Sequence, residues 1–135
     1  MINFNLYKYT VAERFLRYVK IDTQSNPESA TTPSTEKQKN LGRLLAEELV
    51  KMGLTDAHMD EHCYVYATLP ANTTKKVPII CFCSHMDTSP DCSGENVNPV
   101  IHSNYNGGDI VLPNDKTQII KFSEHVDLKN QIGND

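Results

Sequence analysis

The segment "VPIICFCSH", Val77–His85, decides how this chain is read. Val77, Ile79, Cys81 and Cys83 would share one face of an extended strand, and Ile80 and Phe82 the other. A strand that is apolar on both faces belongs in a sheet covered by helices on both sides. Helical segments precede it, so the reading is α/β: three layers around a mostly parallel mixed sheet. The apolar run stops abruptly at His85, and Asp87 follows two residues later.

Upstream, "TVAERFLRYVK", Thr10–Lys20, reads as a helix. Thr10 and Glu13 have capping-box spacing, and Val11, Phe15, Tyr18 and Val19 form its apolar stripe. The Ser/Thr/Pro-rich stretch "IDTQSNPESATTPST" is a loop by turn chemistry. A second helix is predicted over Thr35–Met52, with Ser34 as N-cap, a stripe of Leu41, Leu44, Leu45, Leu49 and Met52, and Gly53 as its left-handed stop. "DAHMD" and "CYVYATLP" then read as a hairpin around Asp60-Glu61-His62. Downstream of Pro90 the chain is loop-rich. Gly107-Gly108 make a turn into a short strand, and a short helix is the one element expected in the last segment.

A chain of 135 residues is enough for one modest domain with a core. Its net charge of −4 contains no basic block to neutralise phosphates, which argues against a nucleic-acid partner. No uninterrupted apolar run has the length of a membrane span, and "MINFNLYKYTVAERF" lacks the pattern of a leader peptide. Cys63, Cys81, Cys83 and Cys92 read as free thiols, the strand pair buried, in a reducing cytoplasm.

Ligands of open α/β sheets gather beyond the carboxyl ends of strands, which is where His85 would stand. A carboxylate two residues on can take the hydrogen bond of one imidazole nitrogen and leave the other for a metal. Spacing alone favours the simpler alternative, a histidine and an aspartate satisfying local loop hydrogen bonds.

Longer strings carry more weight. "ERFLRYVKIDTQS", "PSTEKQ", "LVKMGL", "ATLPAN", "SHMDTSPDCSGENVNP" and "NYNGGDIVL" resemble the N-terminal part of tripeptide aminopeptidases in the two-zinc aminoacylase and carboxypeptidase metallopeptidase family. The likeness runs from about Ala12 to the end of the chain. It implies that His85 ligates one zinc of a pair and that the catalytic Asp87 orients or tunes that centre. Residues 1–135 would then be the N-terminal portion of a catalytic domain whose lid and dimerisation domain lie outside the chain. The other metal ligands and the glutamate base would lie beyond Asp135. The chain alone is therefore expected to bind zinc weakly and to be inactive, whereas the complete enzyme would carry two zinc ions and act on short peptides. Self-association through uncovered sheet surface is also expected. The alternative is a naturally short, non-catalytic interaction or assembly module.

The remaining residue types read plainly. Cys81, Cys83 and His85 alternate, unlike the C-x₂₋₄-C spacing of structural zinc, and suit core packing better. Cys92 has no histidine assigned to it as a partner. His58, His62, His102 and His125 read as surface or turn residues, and Asp109 as a turn or cap carboxylate. Asn98, Asn104 and Asn106 fit turn chemistry.

Overall fold

The computed structural model describes residues 10–135, which form two compact units, one running to Pro99 and the other Val100–Asp135. Most of the stretch read for a leader, residues 1–9, lies outside the described residues.

In the first unit, α1 spans Val11–Tyr18. It opens with the expected capping box: Glu13 N–H donates to the Thr10 hydroxyl at 3.3 Å, and Thr10 N–H donates to Glu13 Oε2 at 2.7 Å. Helix α2 spans Gln38–Lys51 and ends where glycine was expected to end it. Gly53 has φ +97°, its N–H reaches Val50 O at 2.9 Å, and Leu54 N–H reaches Leu49 O at 3.1 Å. Those two bonds make a Schellman motif, which serves carbonyls that the helix leaves open.

The start of α2 differs from expectation. Ser34 is not its N-cap: the Ser34 hydroxyl accepts from Asn26 N–H at 3.1 Å and from Gln38 Nε2 at 3.0 Å. Thr35 Oγ1 donates to Gln24 O at 2.9 Å. Both hydroxyls tie down the preceding loop, so the helix enters through i→i+3 bonds over residues 35–40 instead of a side-chain cap.

Strands β1 (His58–Met59) and β2 (Val65–Tyr66) pair antiparallel, His58 opposite Tyr66 and Met59 opposite Val65. Asp60 closes their turn, because its Oδ1 accepts from His62 N–H at 3.0 Å and Tyr64 N–H at 2.8 Å. This hairpin packs on α2, and the core lies between them, with Leu41 and Cys63 buried. Gly42 makes the approach close: a Cβ there would fall 2.5 Å from Met59 Sδ and 3.1 Å from Cys63 Sγ. Helix α1 docks on α2 through polar groups. The buried Glu48 carboxylate meets Arg17 Nη2 at 2.6 Å and accepts from the Tyr18 hydroxyl.

Val77–His85 corrects the strand reading. No strand forms there, and the side chains are uncovered, with Ile79 99% and Phe82 94% exposed. Cys81 and Cys83 are likewise exposed, contrary to the buried pair expected, and only Cys63 is a buried free thiol. A two-sided buried strand exists by virtue of its neighbours, because its backbone groups need partners on both edges and its faces need cover. Among the described residues nothing supplies either for this segment.

In the second unit, β3 (Ile110–Val111) and β4 (Ile119–Ile120) form an antiparallel pair, followed by α3 (Val126–Lys129). Tyr105 is its buried anchor, exchanging backbone bonds with Gly133 and Asn134 at 2.8 and 2.9 Å and donating its hydroxyl to Gly108 O. Gly107, at φ +87°, lies against Ile132 and Phe122. Asp109, read as a turn or cap carboxylate, bonds outside its own turn: its Oδ1 accepts from Phe122 N–H at 2.9 Å.

Candidate metal centre at His85 and Asp87

His85 and Asp87 are brought together by local geometry. His85 Nδ1 lies 2.9 Å from the Asp87 carbonyl oxygen and 3.1 Å from Asp87 Oδ1. Both partners are acceptors, so Nδ1 must carry the proton. In the neutral ring this leaves the Nε2 lone pair to face outward from a side chain that is 84% exposed. A ring with one nitrogen fixed by a carboxylate and the other open is how a metal-ligating imidazole is held.

Two sets of contacts hold the turn. Met86, between the pair, turns inward, and its sulfur lies 3.9 Å from Cys63 Sγ. Burial pushes the Cys63 thiol up, which leaves it a packing group. The next residue, Thr88, pairs with the 23–25 segment in a short parallel bridge. Thr88 N–H donates to Thr23 O at 3.2 Å, and Thr88 O accepts from Ser25 N–H and Ser25 Oγ, each at 2.9 Å. Thr23 is 2% exposed.

That segment is itself braced. Asp22 Oδ2 accepts from Lys37 Nζ at 2.7 Å, and Asp22 Oδ1 accepts from Gln24 N–H at 3.0 Å. The Lys37 bond, then the Gln24 N–H, hold the Asp22 carboxyl below its ordinary value, so Asp22 is charged at neutral pH. A carboxyl lowered in the folded state stabilises above its unfolded pKa, and that contribution fades as the solution is acidified through the folded value.

The other sequence candidates stay apart from the pair. His58 stacks on Tyr66, His62 sits 3.5 Å from Glu61, and Cys92 is exposed. Among the described residues no three of His, Cys, Asp or Glu gather as a metal-binding group. None of the described helices is long and apolar enough to cross a membrane.

The chain is 53% identical over 125 residues, 91% of its length, to "Peptidase T" of Alkaliphilus oremlandii. It is 55% identical over 124 residues to "Peptidase T" of Desulfitobacterium hafniense strain Y51, and 57% over 110 residues to that of Clostridium acetobutylicum. The chain is homologous to peptidase T. It spans about 30% of the length of these peptidase T relatives, 31, 30 and 27% respectively. No protein-family model matches the chain. Sequence reasoning read "IDTQS" as loop and as part of a resemblance string, but gave it no partner, although Thr23, Gln24 and Ser25 grip the residue after Asp87. Its signal was the stretch itself, since turn composition alone says nothing about a partner more than sixty residues away.

Proposed function

We propose that the chain is the N-terminal portion of the catalytic domain of a cytoplasmic, two-zinc aminopeptidase that releases the first residue of tripeptides. The supporting observation is the hydrogen-bonded His85–Asp87 pair in a chain homologous to peptidase T. The donor set fits zinc as one ligand of a larger shell: His85 Nε2 would bind, and Asp87 would hold the ring. A zinc pair supplies Lewis acidity and lowers the pKa of bound water. This chain's part is orientation. Asp87 keeps the proton on Nδ1, so the ring offers Nε2 without having to find its tautomer at each binding event. The remaining ligands and the general base come from residues beyond this chain, as does the rest of the three-layer sheet in which Val77–His85 would be a central strand.

Asp87 tests the orienting role. In the full-length zinc-loaded protein, Asp87→Asn should cost about 10–100-fold in tripeptide turnover while most of the zinc is kept, the usual weight of a group behind a ligand. Metal analysis beside tripeptide hydrolysis measures both, and unchanged turnover would make Asp87 a purely structural residue.

The same reading makes the Val77–Phe82 surface the place where the isolated chain meets a second copy. Burying one Ile- or Phe-sized side chain is worth roughly 1.5–3 kcal/mol, against a total domain stability of about 5–15 kcal/mol. Several such residues stand open here. Light scattering should show mass rising with concentration, with a melting temperature that rises in parallel. A monodisperse monomer with a concentration-independent melt would count against this surface and for a self-sufficient module.

A further inference from the structure

The Asp87–Thr88 peptide unit has a job at each end. Its carbonyl accepts from His85 Nδ1 at 2.9 Å, and its N–H donates to Thr23 O at 3.2 Å. A peptide unit is planar and rigid, so turning one end turns the other. The orientation of the His85 ring is thereby linked to the position of Thr23, and Thr23 follows Asp22, whose carboxylate has two anchors.

We propose that Asp22, clamped by Lys37, is a positioning residue for the candidate metal centre: it holds the 23–25 segment so that the Asp87–Thr88 peptide presents its carbonyl to His85. This inference rests on the reading of His85 as a metal ligand, and it adds residues that the H-x-D spacing does not contain.

The two carboxylate oxygens of Asp22 do different work. Oδ1 takes the Gln24 N–H and so bends the chain locally, as Asp does in turns. Oδ2 takes the Lys37 ammonium and pins that bend to the entry of α2. Gln24 repeats the link in reverse: its Nε2 donates to Pro90 O at 3.0 Å, and its Oε1 lies 3.5 Å from Lys37 Nζ. Gly94 closes the far side, because a Cβ there would fall 2.5 Å from Asp22 Oδ1 and 3.2 Å from its Cγ. The loop after Asp87 is thus shaped around Asp22 as well as bonded to its neighbours.

The test uses this chain without metal or substrate. Imidazole nitrogen NMR, at a pH where His85 is neutral, reports which ring nitrogen carries the proton, and amide exchange reports the Thr88 N–H. In Asp22→Ala the Nδ1–H population of His85 should fall, and Thr88 should exchange about tenfold faster, the weight of one lost hydrogen bond. Protection of the Gly53 and Leu54 amides should stay unchanged, which separates local release from unfolding. Lys37→Met, at a part-exposed side chain, should move both signals in the same direction and by less. An unchanged His85 tautomer in both variants overturns the proposal, and so does a change that appears only together with loss of Gly53 and Leu54 protection. Zinc-dependent tripeptide hydrolysis by the full-length protein is measured separately. Its absence, with the tautomer shift present, would reject the proposed reaction and keep the positioning role.

Discussion

Replacing His85 by alanine in the full-length protein is expected to lower zinc affinity and tripeptide turnover together, each by more than about 100-fold. Losses of about 10–100-fold are typical when a group behind a ligand is removed, and here the ligand itself goes. A catalytic zinc is held as a rule by three protein ligands, so two would remain. The exposed imidazole makes the substitution clean. At 84% exposure His85 supports no core, and among the described residues its imidazole hydrogen bonds run to Asp87 alone. Competition titration with a zinc chelator, beside turnover at saturating metal, distinguishes the roles. Restored turnover at high zinc identifies a lost ligand, whereas unchanged affinity and turnover remove His85 from the site. The contrast with Asp87→Asn is diagnostic, since that variant should keep metal and lose rate.

Glu48→Ala should cost this chain about 2–3 kcal/mol of stability. Glu48 is 6% exposed, and its carboxylate meets Arg17 Nη2 at 2.6 Å, Arg14 Nε at 3.8 Å and the Tyr18 hydroxyl. Removing one partner of a fully buried pair costs about 3–5 kcal/mol because the other charge stays behind. Arg17 is 34% exposed and can be rehydrated, which brings the figure down. Glu48→Gln should lose less, because the amide oxygen still accepts from Tyr18. Burial first, and then Glu48, raise the Tyr18 pKa, so the phenol should titrate lower in either variant. Urea unfolding followed by a helix signal measures the loss. A midpoint equal to that of the unmodified chain would mean that α1 is held to α2 by packing alone.

Local chemistry was legible in the residues, and long-range pairing was not. The Thr10/Glu13 box, the Gly53 stop and the Asp60 turn each depend on groups within about five residues of one another, and each formed as expected. His85 and Asp87 meet for the same reason. Ser34 went astray because a hydroxyl before a helix can serve other groups than the helix backbone, and here it accepts from a loop N–H, Asn26, and from the Gln38 side chain. Val77–His85 went astray because a strand is a relation between chains of hydrogen bonds, and apolar alternation names only one party. The bridge from Gln24 to Thr88 left no side-chain signature, since its bonds are mostly backbone.

Gly42 limits how this chain can drift or be engineered. A glycine inside a helix costs roughly 0.5–1 kcal/mol relative to alanine, so exchanging it is a standard route to a more heat-resistant protein. At position 42 that route is obstructed, because the new methyl group would arrive where Met59 and Cys63 place their sulfur atoms. A tolerated exchange must come with a smaller or re-aimed side chain on the hairpin, which makes residues 42, 59 and 63 vary as a set. The same set carries Met86 against Cys63, so a repacked hairpin also resets the residue between His85 and Asp87. Thermostabilised variants are best sought elsewhere on α2, on the exposed side at Arg43, Glu47 and Val50.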